Sequence, residues 1–215
     1  MNQLWQNARF RNLDEMVGNQ AALAALRQIE SGFVLIEGPI GCGKTSTALA
    51  WVNERFGTKL EEHQALWQMD KYCIQHCHAE DFNLMDATVQ RYFFFKSIPT
   101  VVIVDEAQDL QLKRQQSKIK TIPPRHNFTL VLVTSNPEEL EPSIRDRCAR
   151  IRLGPLSARE LKQMVERACG IRGIPFDAAL LPAMNRAGVF RPRAILNVVD
   201  SVARGVPVEQ AVVGQ

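Results

Sequence analysis

Residues 38–45, Gly-Pro-Ile-Gly-Cys-Gly-Lys-Thr, constrain this chain more than any other stretch. They satisfy the spacing G-x-x-x-x-G-K-[ST], directly after the short apolar run GFVLIE (32–37) and directly before a helical pattern over Thr45–Phe56. A glycine-rich turn between a buried strand and a helix turns the backbone N–H groups of Gly41, Cys42, Gly43 and Lys44 inward at the helix N-terminus. There they can wrap phosphate oxygens. Gly38 and Pro39 open the loop, Lys44 is placed to reach the β- and γ-phosphates, and Thr45, with Ser46 beside it, offers a hydroxyl to Mg²⁺. A plain glycine turn would leave both the lysine and the threonine unexplained.

The rest of the chain supplies a sheet for such a loop. TVVIVDE (100–106) and FTLVLVTSN (128–136) are further valine-rich runs, and CARIRL (148–153) alternates as a strand near an edge does. DFNLMDA (81–87) is a weaker strand candidate. Helical patterns fall between them, at 19–30, at Thr45–Phe56, at 108–120 and at 138–147. Strand alternating with helix implies an α/β fold, a parallel sheet flanked by helices whose ligands sit beyond the carboxyl ends of the strands. With 215 residues, 46% of them apolar, the chain can bury a full core. The net charge of +3 does not announce nucleic-acid binding. The opening MNQLWQNARF lacks the apolar segment of a secretory signal and the apolar runs are short, so neither export nor a membrane span is expected. Five scattered cysteines then read as reduced thiols of a cytoplasmic protein.

Two further elements complete a candidate site. Asp105, leaving the end of a buried strand, suits a magnesium ligand acting through the metal's water shell, and adjacent Glu106 can orient and deprotonate an attacking water. TSNP (134–137) closes the third apolar run at the same sheet edge, where Ser135 or Asn136 could hold the water or the γ-phosphate. After LGPL (153–156) the strand patterns stop. Ser157 and Glu160 have capping-box spacing, and Leu161, Met164, Val165 and Ala168 repeat on one helical face up to Gly170. Further helices are expected from Asp177 toward Gly188, offset by Pro182, over 192–203, and briefly after Pro207. The expected division is an α/β nucleotide-binding domain over 1–154 and a small all-helical domain over 155–215.

These residues together resemble the AAA+ ATPases, and within them the clamp-loader group typified by replication factor C small subunits and their bacterial counterparts. LWQNARFRNLDEMVGNQ (4–20) resembles that group's N-terminal segment along the adenine. Arg9 matches its arginine, with alanine and phenylalanine in place of the flanking tyrosine and proline, and Val17 and Gly18 fit the turn against the base. DEAQDL resembles D-E-x-x-x-L, TSNP the sensor 1 turn, and RDRC the S-R-C motif. The resemblance makes Arg147 a residue that reaches a neighbouring subunit's γ-phosphate, with Asp146 standing where a serine is usual. GVFRPRAILN (188–197) resembles the sensor 2 pattern of the helical lid and makes Arg193 the sensor, with Arg191 the alternative. Arg150 and Arg152 are expected to face solvent. That group continues into a collar of helices, so this sequence reads as a minimal module, a truncation or a compact mobile-element or phage-type protein.

Other features carry less. Cys73, His76, Cys77 and His78, with His63 as a remote partner, include neighbours that cannot easily converge on one zinc ion, and read instead as packed side chains at a helix end. Lys113, Arg114, Lys118 and Lys120 form a broad basic surface on a helix that in the family can face DNA phosphates. YFFFK (92–96) reads as core or subunit contact. The resulting expectation is a Mg²⁺-dependent ATPase that works with copies of itself or related AAA+ subunits in a ring or spiral, on DNA, with a sliding clamp or a helicase as client, and is cytoplasmic or nucleoid-associated. A helicase loader or a transposition-type ATPase is the alternative role. A nucleotide-binding assembly subunit with little turnover is the alternative of another class, against which the intact Lys44 and Glu106 stand.

Overall fold

The computed structural model describes residues 10–68, 71–82, 98–111, 115–122 and 127–213. In chain order its main elements are α1 (Gln20–Arg27), β1 (Gly32–Glu37), α2 (Lys44–Phe56), β2 (Ala65–Gln68), β3 (Tyr72–His78), β4 (Thr100–Asp105), α3 (Gln115–Ile119), β5 (Phe128–Thr134), α4 (Pro142–Arg145) and β6 (Cys148–Arg152). Four helices follow, α5 (Ala158–Arg172), α6 (Leu180–Ala187), α7 (Pro192–Ala203) and α8 (Val208–Ala211).

The strands form one six-stranded sheet in the order β2-β3-β4-β5-β1-β6, parallel except where β2 meets β3. Every residue of β4 and β5 is buried, which is why both read as unbroken apolar runs rather than alternating ones. One core layer, with Val34, Ile36, Trp51, Ile103 and Val133, lies under α1 and α2. The other, with Leu35, Val104, Leu110, Leu132 and Ile144, lies on the opposite face. Since β1 lies between β5 and β6, the chain leaves β1 toward β3 and β4 and later returns on its other side. That reversal opens a crevice at the carboxyl ends of the strands, where the phosphate loop after β1 and Asp105 at the end of β4 come together.

Of four expected elements, three need correction here. Tyr72–His78 is a strand, not a helix end: it pairs in parallel with β4, His78 opposite Asp105, and is buried on both faces, so no period-two pattern betrays it. The strand candidate at 81–87 lies outside the described residues from 83 onward. The helix expected at 138–147 is split into a 3₁₀ turn, Pro137–Glu139, and the short α4. Glu141, before Pro142, is forced to ψ 137°, because a proline ring excludes the helical region for the residue that precedes it. Likewise the stretch 108–120 contains a 3₁₀ turn, Ala107–Gln111, and the separate helix α3.

Past Gly154 the described residues are helical and share a core of their own, with Leu161, Met164, Val165, Met184, Ile195 and Val199. The Ser157–Glu160 capping box forms, and α5 ends on Gly173 with φ 68°. Pro182 falls in the first turn of α6, where its missing N–H costs nothing, and Pro192 takes the first position of α7. The join is tight. Leu153 N–H donates to Glu37 O at 2.8 Å, Asn19 grips Gly154 with both ends of its amide (2.8 and 3.2 Å), and Leu156 N–H donates to Phe190 O at 2.8 Å.

Candidate functional site

Gly38, Gly41 and Gly43 all have positive φ (154°, 83° and 90°), so the loop from β1 to α2 bends in ways side chains resist. At Gly41 the reason is also spatial: a Cβ would lie 3.2 Å from the Cβ of Arg193, because α7 abuts the loop and Arg193 N–H donates to Gly41 O at 3.2 Å. The main-chain bond thus brings the helical segment's candidate arginine to the phosphate loop. Gly41, Gly43, Lys44, Thr45, Ser46, Asp105, Glu106 and Arg193 line one cleft, and Met164 and Leu196 wall it from the helical side.

Lys44 is 9% exposed, and its Nζ donates to Gly38 O (2.9 Å) and Pro39 O (3.1 Å). Burial pulls its pKa down, and the nearby charges of Glu106 and Asp105 restore only part of the loss. Thr45 Oγ1 donates to Asp105 Oδ2 at 2.7 Å, which places a hydroxyl and a carboxylate from β1–α2 and β4 side by side. Burial works against ionising Asp105, but the His76 ring, the Thr45 hydroxyl and the Glu106 N–H outweigh it and hold the carboxyl below its ordinary range. The carboxyl is therefore held in the ionised form that a hard cation binds, and the glycine cradle leaves room for phosphate at the helix N-terminus. The residues fit a nucleoside triphosphate with Mg²⁺. Glu106 stands exposed at the cleft in the left-handed conformation (φ 50°).

Not all expected residues meet here. Val17, Gly18 and Cys42 line a smaller adjoining cavity with Phe10, and a Cβ on Gly18 would lie 2.5 Å from Leu156 Cδ2, so that turn packs against the helical segment. Arg9, Lys113 and Arg114 lie outside the described residues, as does YFFFK. Lys118 belongs to α3, and Lys120 is exposed and paired with Glu141. Ser135 and Asn136 sit at the end of β5, where Asn136 Nδ2 donates to Glu139 Oε1 at 3.4 Å. Arg147 is exposed, but its guanidinium donates to Lys120 O (2.9 Å) and Ile122 O (2.7 Å) and lies 4.6 Å over the Phe33 ring. Those bonds, rather than one to Asp146, hold it in this chain.

Arg150 and Arg152 do not simply face solvent. Both bind Glu37, the last residue of β1, Arg150 through 2.8 and 3.0 Å contacts. Glu37 is 4% exposed, and while burial raises its pKa the two arginines bring it below the ordinary value. Sequence reasoning also missed His76 as a neighbour of Asp105. Its Nδ1 accepts the His63 N–H at 2.9 Å, which leaves the neutral ring's proton on Nε2, buried and facing Asp105 Oδ2 at 3.8 Å. Among the described residues no group of three or more His, Cys, Asp and Glu is arranged to hold a metal ion. No helix among them is long and apolar enough to cross a membrane.

Comparison with known proteins bears on the family and the fold. The chain is 22% identical over 213 residues to the replication factor C small subunit of Aeropyrum pernix, covering 93% of this chain and 62% of that one. It is 26% identical over 226 residues to the DNA polymerase III subunit gamma/tau of Mycobacterium tuberculosis, covering 94% and 39%. The chain thus spans less than two thirds of either relative. The RuvB Holliday junction branch migration motor of Thermotoga maritima shares the fold, with a TM-score of 0.59 at 20% identity over 95% of this chain and 70% of that one. The model of the "ATPase family associated with various cellular activities (AAA)" matches residues 34–156, from β1 through the phosphate loop and Asp105 to β6, and the chain belongs to that family of ATPases.

Proposed function

We propose that this chain is a Mg²⁺-dependent ATPase subunit that hydrolyses ATP at the interfaces of an oligomeric AAA+ assembly, and that the assembly loads or remodels a DNA replication complex in the manner of a clamp loader. The observation that carries it is the convergence of Lys44, the Thr45–Asp105 pair at 2.7 Å, and Glu106 on one cleft, closed from the helical side by Arg193. The resemblance to clamp-loader subunits along more than nine tenths of this chain supports the choice of client.

In this reading the N–H groups of Gly41, Gly43 and Lys44 hold phosphate oxygens, and Lys44 leaves its two carbonyl acceptors for the β- and γ-phosphates. Thr45 and Asp105 hold Mg²⁺, which when bound neutralises charge on the phosphates. Glu106 orients a water and takes its proton on a carboxylate oxygen, while Ser135 or Asn136 touches the water or the γ-phosphate. Arg193 reports the γ-phosphate to the helical segment. Arg147 exchanges the carbonyls of Lys120 and Ile122 for a neighbour's γ-phosphate, and Lys113, Arg114, Lys118 and Lys120 track DNA phosphates.

Mixing variants tests the shared site. Arg147→Ala and Glu106→Gln should each lose most ATPase activity alone, and a mixture of the two should recover part of it. A mixed site receives Arg147 from the Glu106→Gln subunit and Glu106 from the Arg147→Ala subunit. Hydrolysis by Arg147→Ala at the wild-type rate, independent of protein concentration, would refute the action across subunits.

A further inference from the structure

Glu106 is not free at the lip of the cleft. Gln108, two residues on and inside the 3₁₀ turn that follows β4, donates from Nε2 to Glu106 Oε2 at 2.7 Å. The other end of the same amide accepts the Thr134 hydroxyl at 2.6 Å, and Thr134 Oγ1 in turn accepts the Asn136 N–H at 3.0 Å. Thr134 is wholly buried as the last residue of β5. Each group in the series therefore has its role fixed. The Asn136 N–H requires a lone pair of Thr134, the Thr134 proton has Gln108 Oε1 as its acceptor, and that orientation presents only the NH₂ of Gln108 to the carboxylate. Three hydrogen bonds of ordinary length run from the backbone of the β5 turn to the carboxylate at the end of β4.

We propose that Gln108 is a positioning residue for hydrolysis, fixing the carboxylate of Glu106 and coupling it through Thr134 to the turn at Ser135–Asn136. The inference rests on reading Glu106 as the base that takes the proton of the attacking water. A glutamate in a left-handed backbone conformation has its own strain and several side-chain directions open to it, and the amide selects one of them. Any shift of the β5 turn when a γ-phosphate arrives pulls on Thr134, and through Gln108 it re-aims the carboxylate. Ground-state nucleotide binding, which rests on the loop and Lys44, does not pass through these bonds.

The test is single-turnover hydrolysis of bound Mg-ATP by the full chain with DNA present, beside the affinity for a fluorescent ATP analogue. Gln108→Leu removes both ends of the amide and should slow hydrolysis about tenfold with affinity unchanged within about twofold. Thr134→Val, which keeps the buried shape, should slow it less. The double variant should be no slower than Gln108→Leu, because Thr134 acts through Gln108. Wild-type hydrolysis by Gln108→Leu, or a double variant slowed by the product of the single effects, overturns the proposal. Should Gln108→Leu fail to fold, Thr134→Val decides by the same split between rate and affinity. Glu106→Gln separates the two layers: if it binds ATP without hydrolysing it while Gln108→Leu is unaffected, only the coupling falls. If it still hydrolyses, the reading of Glu106 itself falls.

Discussion

Replacing Gly38 by alanine tests how tightly the phosphate loop is built into the sheet. The residue has φ 154°, in a region essentially reserved for glycine, and a Cβ there would lie 2.2 Å from the carbonyl oxygen of Leu153. That oxygen cannot swing aside as a side chain would, because Leu153 is held by its own N–H bond to Glu37 O. The loop or β6 must yield by nearly an ångström, so backbone strain of about 1–3 kcal/mol is joined by a comparable cost of displacement. Gly57, at the end of α2, supplies the control. Its φ is 63° and nothing lies within 4 Å of a Cβ, so Gly57→Ala should cost only about 1 kcal/mol. At roughly 2–4 °C per kcal/mol for a chain of this size, Gly38→Ala, at about 2–6 kcal/mol in all, should melt about 4–24 °C below wild type and Gly57→Ala about 2–4 °C below. Thermal unfolding followed by circular dichroism measures both. Titration with a fluorescent ATP analogue should show affinity falling for Gly38→Ala alone, since Gly38 O also anchors Lys44. Equal melting points for the two variants, with ATP bound normally by both, would refute the claim that Leu153 limits the loop.

Two further outcomes follow from other residues. Folding stabilises the ionised form of Glu37, so its contribution should be complete above the ordinary carboxyl pKa of 4.5 and vanish as pH falls through the depressed folded value. Urea unfolding between pH 7 and pH 3 should show this loss, and Glu37→Gln should flatten it. Burial pushes the Cys148 thiol up to about 12, with the Arg147 and Arg150 charges opposing only in part, so this residue should resist a thiol-labelling reagent at pH 8 until the chain unfolds. Peptide mapping after brief labelling checks that directly, and rapid modification of the folded protein would contradict it.

The phosphate loop and its Asp105–Glu106 complement were legible because each is written in a few consecutive residues whose backbone demands are severe. The helices past Gly154 were legible for a similar reason: the Ser157–Glu160 cap and the glycines at 173 and 188 punctuate them. What escaped were partnerships across the sheet. Nothing local in the sequence says that Glu37 will meet Arg150 and Arg152, more than a hundred residues away, or that Arg147 will rest on the carbonyls of Lys120 and Ile122. β3 escaped because its histidines and cysteines, polar by composition, are enclosed by neighbours on both faces. Gln108 opened the helical pattern read over 108–120 and drew no role of its own; only the register that ends β4 and β5 side by side gives it Thr134.

The double grip of Asn19 on Gly154 has a mechanical side. Up to Gly154 the chain is fastened to the sheet and to Asn19, and from Leu156 it is fastened to the helices, so along the backbone Pro155 is the one residue between the two sets of attachments. Such a joint is a fulcrum rather than a loose tether. Helix α5, 15 residues and so about 22 Å long, is the lever arm leaving it, and a tilt of about 10° at Pro155 would sweep its far end through about 4 Å.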